Sequence, residues 1–385
     1  MSIINRISAI SDEVAGWRRD FHAHPELGYE VERTAGRVAD LLRSFDIDEV
    51  VTGIGRTGVV GIIHGKSPGR MIGLRAELDA LPMHEDTGLA HASTTTGKMH
   101  ACGHDGHSAM LLGAAKYLAE TRDFAGSVAL IFQPAEEAGA GGRAMADDGL
   151  FERWPIEAVF AMHNFPGIPD GAFATRTGPI AASSDIFDII ITGRGGHAAW
   201  PHTGADPIVA AAQIISAVQS IVSRGADPLL SAVVSITRIE AGSAYNVIPD
   251  SVRLAGTMRA LDPELGLRLG QRLREITESV AVAFGCTAHV DVQRFCGVVT
   301  NDERLTQITQ RAAIEVAGAD GLIEMTPIMG GDDFAWMLEK VPGSYIYIGN
   351  GNSAGLHTVK YDFNDGIIAA GMSYWARLVQ AANGR

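Results

Sequence analysis

The hydrophobic pattern of the chain switches between helical and strand periodicity over most of its length. Apolar residues at helical spacing predict helices over Ile4 to Phe21 and over Val31 to Ser44, and Pro25 ends the first of these. Short apolar runs predict strands at Glu49 to Thr52 and at Val59 to His64. Strands interleaved with helices indicate an α/β fold with a central sheet flanked by helices.

Three further strands predicted from apolar runs are followed by polar side chains. They are Met71 to Leu81, which carries Glu77 and Asp79 on one side near its end, Ser127 to Phe132, followed by Glu136 and Glu137, and Ala158 to Met162, followed by His163 and Asn164. Strand ends of an α/β sheet are where functional sites form. The pattern therefore predicts a site built from acids and histidines at one sheet edge.

The densest chemistry lies in the stretch Met99 to His107, which reads MHACGHDGH. Cys102 and His104 are two residues apart, so both can point at one centre in an extended or looping segment. Thiolate and neutral imidazole form a ligand set for zinc or another borderline first-row metal. The alternative is a histidine-rich surface loop. A helix of small and apolar residues, Ala109 to Ala119, is predicted to follow.

The middle of the chain has a different pattern and predicts an inserted second domain. Its order is strand, helix, strand, strand, helix, strand, the βαββαβ ferredoxin-like motif, over Ile186 to Thr192, Asp206 to Ser223, Ser231 to Glu240, Asp250 to Arg259, Pro263 to Phe284 and Thr287 to Val292. After Thr300 the α/β pattern resumes. We therefore expect one discontinuous domain over residues 1–181 and 296–385, and a second over 182–295.

Composition narrows the function classes. The 385 residues are long enough for two domains, and 46% hydrophobic with 20% charged residues is ordinary for a globular protein. A net charge of −14 argues against nucleic acid or a membrane surface as partner. Three cysteines suggest no disulfide framework, and the absence of a signal pattern or a long apolar run predicts a cytoplasmic protein without membrane spans.

The polar residues at the predicted strand ends and loops offer more metal ligands than one structural zinc needs. They are Cys102, His104, Glu136, Glu137, His163 and His357. Five plausible ligands and a spare carboxylate suit an open two-metal hydrolytic centre. That these residues converge is an expectation.

With these residues in place, the sequence resembles the M20 metallopeptidase superfamily over essentially its full length. The similarity is greatest to the amidohydrolase branch, which contains hippurate hydrolase, bacterial N-acyl-amino-acid amidohydrolases and plant auxin-conjugate hydrolases. The blocks that carry it are FHAHPELGYE, LRAELDALPM, MHACGHDGHSAML, FQPAEEAGAGG, MHN, GRGGHAAWPH, NVIPD, MGGDDFA and GLHTVKYDF. The resemblance implies a catalytic domain with a mixed central sheet and an inserted lid and dimerisation domain.

The resemblance also implies roles for the clustered residues. Two divalent metals, manganese or zinc with nickel or cobalt as alternatives, would be bound by Cys102, His104, Glu137, His163 and His357. Glu136 would be the general base on a water between the metals, and Asp79 would orient a ligand histidine or support the bridging group. Glu77 stands where many relatives have Asp. For Glu77 and Asp79 a salt-bridged strand end remains the alternative.

Residues of the inserted domain take roles by the same resemblance. His197 would reach the partner subunit's site and stabilise the oxyanion, as a protonated or donor imidazole. Asn246 and Arg259 would hold the free carboxylate of the substrate, although Arg259 and especially Arg253 also fit exposed strand positions. His100, His107 and His202 fit structural or supporting roles better than the alternative of ligand roles, and Cys286 and Cys296 fit core or boundary thiols.

The function implied is hydrolysis of the amide bond of N-acyl amino acids, hippurate-like or N-acetylated, by a homodimer or homotetramer. A dipeptidase or aminopeptidase on the same scaffold is the alternative within enzymes. A non-catalytic binding protein would be expected to have lost ligands or Glu136, and all of them are present.

Overall fold

A computed structural model describes residues 1–137 and 139–383. Ala138, within the FQPAEEAGAGG block, and residues 384–385, at the end of the predicted catalytic domain, lie outside the described residues. The helices are α1 (Asn5–Ala23), α2 (Glu32–Ser44), α3 (His104–Thr121), α4 (Gly141–Asp147), α5 (Leu150–Arg153), α6 (Pro207–Val218), α7 (Ser220–Ser223), α8 (Pro263–Ala283), α9 (Glu303–Ala317), α10 (Ala335–Leu338) and α11 (Ile368–Asn383). The strands are β1 (Glu49–Ile54), β2 (Gly58–His64), β3 (Ser67–Glu77), β4 (Ala125–Gln133), β5 (Ile156–Phe165), β6 (Phe173–Thr175), β7 (Gly178–Ala181), β8 (Ser183–Thr192), β9 (Gly196–His197), β10 (Ala232–Ala241), β11 (Val247–Ile248), β12 (Ser251–Ala260), β13 (Thr287–Cys296), β14 (Val299–Asn301), β15 (Leu322–Glu324) and β16 (Gly343–Gly349).

The chain divides into two compact units. Unit 1 comprises residues 1–180, 300–326 and 333–385, and unit 2 comprises 181–299 and 327–332. The predicted insert, 182–295, falls within unit 2. Its role as a lid stays a prediction. Among the described residues, none of the helices combines the length and the apolar character that crossing a bilayer requires.

Unit 1 is built on an eight-stranded mixed sheet, as predicted. The strand order is β1-β2-β4-β3-β5-β16-β6-β15. The central strands β4, β3, β5 and β16 are parallel to their neighbours in that run, whereas β1 and β2 pair antiparallel. Helices α1, α3 and α11 pack on one another, and their apolar side chains share one core with the sheet. Parallel central strands covered by helices are the arrangement that α/β periodicity indicates.

Helix α3 begins earlier than the sequence suggests. It starts at His104 and not near the predicted Ala109, so His104, Asp105 and His107 are helical residues. The sequence pattern misses this start because α3 is buried along most of its length and has no solvent-exposed stripe. A helix buried on all sides lacks the amphipathic pattern that marks a helix start.

Two strand ends also differ from the prediction. Strand β3 ends at Glu77, so Asp79 lies beyond the strand and does not share a strand face with Glu77. Strand β5 continues to Phe165, so His163 and Asn164 are strand residues. His163 and Asn164 are both buried, and they continue the backbone pairing of β5 with β16. Polar residues inside a strand are read as its end when only hydrophobicity is considered.

Unit 2 has the predicted ferredoxin-like arrangement. Its four-stranded antiparallel sheet has the order β10-β12-β8-β13, and α6 and α8 cover one face. The side chains of Asp206 and Asp262 cap these helices, each followed by proline at the first helical position. The single helix predicted over Asp206 to Ser223 is divided into α6 and α7 at Gln219.

Candidate metal centre and substrate-binding residues

One edge of the eight-stranded sheet gathers the six residues predicted to form a metal site. The parallel register places Glu77 of β3 opposite Gln133 of β4, and His163 of β5 opposite Tyr347 of β16. The carboxyl ends of these strands therefore face the same way. The segments at this edge carry Cys102, His104, Glu136, Glu137, His163 and His357.

The distances among these side chains are those of a compact polar cluster. Cys102 Sγ lies 3.4 Å from His163 Nε2. His104 Nε2 lies 3.9 Å from a carboxylate oxygen of Glu136 and 4.0 Å from one of Glu137. His357 Nε2 lies 3.3 Å from the same Glu137 oxygen. All of these side chains are buried or nearly so except His357, whose side chain is 51% exposed.

The ligand atoms form overlapping groups of three. Cys102, His104 and His163 form one group, and Cys102, Glu137 and His357 form another, with all ligand atoms in a group within 4.8 Å of one another. Cys102 belongs to both groups. Thiolate, imidazole and carboxylate ligands around two adjacent positions fit a pair of borderline divalent cations.

Two buried atoms in the cluster support that fit. Among the described residues, His104 Nε2 and Glu137 Oε1 are both enclosed and neither makes a well-aligned hydrogen bond, although His357 Nε2 approaches Glu137 Oε1 to 3.3 Å. Leaving such an atom unsatisfied costs about 1–3 kcal/mol. Burial, and then the charge of Glu137, raises the pKa of the Cys102 thiol well above its usual range. A cation would satisfy both atoms and favour the thiolate, so the residues fit metal ions.

The two buried histidines are held with one nitrogen turned toward the cluster. His104 Nδ1 donates to the backbone carbonyl of Asp79 at 2.8 Å, and His163 Nδ1 donates to that of Asn164 at 2.6 Å. Burial and the neighbouring His107 lower the pKa of His163 well below its usual range, which favours the neutral ring. His163 Nε2 is then left with a lone pair for a metal. For His104, burial opposes the charge, but Cys102 and Asp79 outweigh it and raise the pKa well above its usual range, so a metal would have to displace the proton from His104 Nε2.

Asp79 holds the backbone of the two consecutive acids Glu136 and Glu137 in place. Its two carboxylate oxygens accept the backbone N–H groups of Glu136 at 3.0 Å and Glu137 at 3.1 Å. Together with the carbonyl bond to His104, Asp79 contacts three cluster residues without being in a ligand group itself. The sequence prediction, that Asp79 orients a ligand histidine or supports the bridging group, does not include its hydrogen bonds to the backbone of Glu136 and Glu137.

The backbone at Gly103 allows Cys102 and His104 to face one centre. Gly103 has φ of +92°, and a Cβ there would lie 2.2 Å from Asn164 Oδ1 and 2.6 Å from the Tyr361 hydroxyl. Any side chain would collide, so only glycine fits between the two residues.

Glu77, whose role the sequence left open, belongs to a buried hydrogen-bonded pair. It forms an ion pair with Arg75 and accepts a hydrogen bond from His107 Nδ1 at 2.8 Å. Burial opposes ionisation, but Arg75 and His107 outweigh it and hold the pKa of Glu77 well below its usual range. The backbone N–H of Asn164 donates to the other nitrogen of His107 at 2.9 Å. The salt-bridged strand end is the correct description of Glu77.

A buried charge network behind the cluster was not predicted. His22 bonds Asp105 at 2.8 Å and Glu85 at 3.3 Å, and Arg18 on α1 lies 3.6 Å from Asp105. Arg18 also pairs with Asp362 at 3.2 Å and with Asp365 at 2.7 Å, in the segment that follows His357. The hydrophobic pattern does not mark Arg18 as buried, since an arginine on an amphipathic helix resembles a surface residue.

The remaining histidines lie in different surroundings. His100 is buried, and burial lowers its pKa to about 3, so the ring is neutral. His202 lies in an exposed short turn of helix over Pro201–Thr203, within unit 2. Cys286 and Cys296 are buried free thiols, as is Cys102.

In unit 2, the structure brings His197 and Asn246 together. His197 on β9 pairs with Val247 on β11, and the backbone N–H of Ala198 donates to the carbonyl of Asn246 at 3.0 Å. Arg259 lies in β12, in the separate four-stranded sheet, and its guanidinium donates to the carbonyl of Met258 at 2.9 Å. Arg253 pairs with Asp188 at 2.6 Å on the exposed face, as an ordinary strand residue does.

The comparison with known proteins agrees with this architecture. Residues 73–381 match the model of peptidase family M20/M25/M40. The chain is 40% identical to the hippurate hydrolase of Campylobacter jejuni over 379 residues, covering 98% of each chain. It is 42% identical to the N-acetyl-L-cysteine deacetylase of Bacillus subtilis over 344 residues, covering 89% of this chain and 82% of the relative.

A solved structure gives the same result. The YXEP protein of Bacillus subtilis, described as a dinuclear metal-binding peptidase of the M20 family, superposes with a TM-score of 0.85 at 34% identity, over 97% of this chain and 98% of that one. Full-length coverage at this level of identity confirms the predicted fold and the prediction of an M20-type hydrolase. The chain belongs to peptidase family M20/M25/M40.

Proposed function

We propose that the protein hydrolyses the amide bond of N-acyl amino acids, releasing a carboxylic acid and a free amino acid. The observation that carries the proposal is the complete cluster of Cys102, His104, Glu137, His163 and His357 with Glu136 beside it. Hippurate and N-acetyl amino acids are the first substrates to test, because two relatives are a hippurate hydrolase and an N-acetyl-L-cysteine deacetylase.

The five cluster residues would hold two divalent cations, manganese or zinc, with nickel or cobalt as alternatives. When bound, the cations would supply Lewis acidity, which acidifies a water molecule and polarises the amide carbonyl. His104 and His163 would bind through Nε2, and Cys102 belongs to both groups of ligand atoms. Elemental analysis of the purified protein identifies the metals.

Glu136 is proposed as the general base. Its carboxylate lies 3.9 Å from His104 Nε2, and its backbone is fixed by Asp79. From this position it would accept a proton from the attacking water and pass it to the departing amine. Glu137 beside it would bind metal, so the two consecutive acids have separate tasks.

Unit 2 would supply the contacts to the rest of the substrate. His197 would donate to the oxyanion, and Asn246 and Arg259 would bind the free carboxylate, to which Arg259 can offer two parallel hydrogen bonds. We propose that His197 acts on the site of a partner subunit in a homodimer, with a homotetramer as the alternative, and that the protein is cytoplasmic.

Subunit mixing tests the role of His197 across the dimer. A heterodimer of His197→Ala and Glu136→Gln subunits would have one site with both an intact base and an intact His197. Activity should therefore return after subunit exchange between the two inactive variants. If heterodimers form and activity does not return, His197 does not act on the partner's site.

A substrate panel tests the function as a whole. We expect turnover of N-acyl amino acids to exceed that of dipeptides with a free amino group, and to stop on treatment with a chelator. Faster turnover of dipeptides would favour the dipeptidase or aminopeptidase alternative. No turnover by metal-loaded protein would favour a binding protein.

A further inference from the structure

The segment that carries His197 is a compact turn whose backbone is tied at both ends. The backbone N–H of Trp200 donates to the carbonyl of His197 at 2.8 Å. The carbonyl of Trp200 accepts from the backbone N–H of Thr203 at 3.1 Å and from its hydroxyl at 2.8 Å. These hydrogen bonds fix the backbone of Trp200, and therefore the origin of its side chain, relative to His197.

The indole of Trp200 packs against the imidazole of His197. The two ring centroids are 4.7 Å apart and the ring planes are inclined by 31°. This distance is within the range for offset stacking of aromatic rings. Trp200 is 59% exposed, so core packing does not explain a large apolar side chain at this position. The stack limits rotation of the imidazole and covers one of its faces.

A backbone group defines which nitrogen of His197 carries the proton. The N–H of Ala199 donates to His197 Nδ1 at 3.1 Å. Because a backbone N–H can only donate, Nδ1 must present its lone pair, and the proton of the neutral ring then resides on Nε2. Protonation of Nδ1 would replace this hydrogen bond with two opposed N–H groups.

We propose that Trp200 is a positioning residue that, together with the backbone of Ala199, holds His197 as a neutral imidazole with its Nε2–H directed outward as a hydrogen-bond donor. The inference rests on the proposed function for the target of that donor, the oxyanion. Of the two forms that the sequence allows, a protonated or a neutral donor, the geometry selects the neutral one. A donor fixed before substrate binds avoids the cost of orienting it during the reaction.

The first test observes the imidazole directly and needs no substrate. Protein labelled with ¹⁵N-histidine is studied by long-range ¹H–¹⁵N correlation, and the His197→Gln variant assigns the His197 signals. We expect a neutral ring with an unprotonated Nδ1 and a protonated Nε2 in the unaltered protein and in Trp200→Phe. In Trp200→Ala we expect averaging between the two tautomers. An equal mixture in the unaltered protein, or no change in Trp200→Ala, overturns the proposal.

The second test measures turnover of an N-acyl amino acid by the same variants. We expect Trp200→Ala to lower kcat by about tenfold with little change in KM, less than the 10²–10³-fold cost of losing a whole oxyanion donor. Trp200→Phe should restore most of kcat because it keeps a stacking ring. Leu229→Ala, at a 91% exposed site of unit 2, is the control for loss of apolar surface.

The two tests separate this inference from the proposed function. If no N-acyl amino acid is hydrolysed, the proposed function fails while the tautomer measurement still decides the role of Trp200. If the substrate is hydrolysed and Trp200→Ala leaves both kcat and the His197 spectrum unchanged, only the positioning role is overturned.

Discussion

The carboxylate of Asp79 accepts the backbone N–H of Glu136 at 3.0 Å, so an acid outside the ligand groups determines where the proposed base stands. The same carboxylate accepts the backbone N–H of Glu137 at 3.1 Å. One residue thus fixes the backbone of both the proposed base and a proposed metal ligand.

Replacement of Asp79 by asparagine should disturb this arrangement. The amide can accept from only one of the two backbone N–H groups, and its NH₂ would oppose the other. We expect metal affinity or kcat to fall by about 10–100-fold, as is typical when a group that orients ligands is lost. Asp123→Asn, at an exposed ion pair with Lys66, is the matched control. Equal activity of the two variants would show that Asp79 does not position the pair.

Arg18 and its neighbour Arg19 provide a second comparison. Both pair with Asp365, but the side chain of Arg18 is 1% exposed and that of Arg19 is 53% exposed. We expect Arg18→Met to lower the free energy of unfolding by about 3 kcal/mol, because it removes a buried positive charge and leaves the buried Asp105 with His22 as its remaining ionic partner. Arg19→Met should cost about 1 kcal/mol or less. Denaturant unfolding measures both, and similar losses would contradict the buried network.

The pH dependence of the free energy of unfolding should reflect the charge on His22. Burial lowers its pKa, but Asp105 and Glu85 outweigh burial and raise the pKa to about 9. Because the pKa is higher in the folded protein than in the unfolded chain, protonation of His22 stabilises the fold. This stabilisation is complete below about pH 6.5, the pKa in the unfolded chain, and is lost as the pH rises to about 9. At 1.36 kcal/mol per pKa unit, the loss amounts to about 3 kcal/mol.

Unfolding of the unaltered protein and of His22→Gln between pH 6 and pH 10 checks this prediction. The difference in stability should shrink across this range, whereas His24→Gln, at a side chain that is 43% exposed, should show no such change. A difference that is constant with pH would contradict the proposed charge on His22.

Cys102→Ser should lower metal occupancy at both positions of the cluster. A hydroxyl is a poor replacement for a thiolate toward a borderline metal, and Cys102 belongs to both groups of ligand atoms. Elemental analysis after dialysis gives the occupancy, and Cys286→Ser, at a thiol outside the cluster, is the control. Full occupancy in Cys102→Ser would exclude Cys102 as a ligand.

The α/β class and the ferredoxin-like insert could be predicted from the sequence because their apolar periodicities are regular. Helix starts and strand ends at the site could not, since His104 and His163 are polar residues buried inside a helix and a strand. Hydrophobic pattern assigns such residues to loops. Tertiary burial overrides that assignment.

The cluster itself could be listed from strand ends and from the family resemblance, but its supporting contacts could not. The bonds from Asp79 to Glu136 and from Arg18 to Asp365 join residues 57 and 347 positions apart. No local pattern encodes such contacts. The stack of Trp200 on His197 spans three positions, yet only the turn geometry reveals it.

The role of Glu136 as the base of a two-metal hydrolase can be examined with the single variant Glu136→Gln. The amide keeps the size of the side chain and removes its ability to take a proton, while the five proposed ligands remain. Metal content and hippurate turnover should be measured on the same preparation. We expect two metals per chain and a kcat lower by about 10²–10⁴-fold, the range that general base catalysis contributes. Turnover near that of the unaltered protein at full metal content would contradict it.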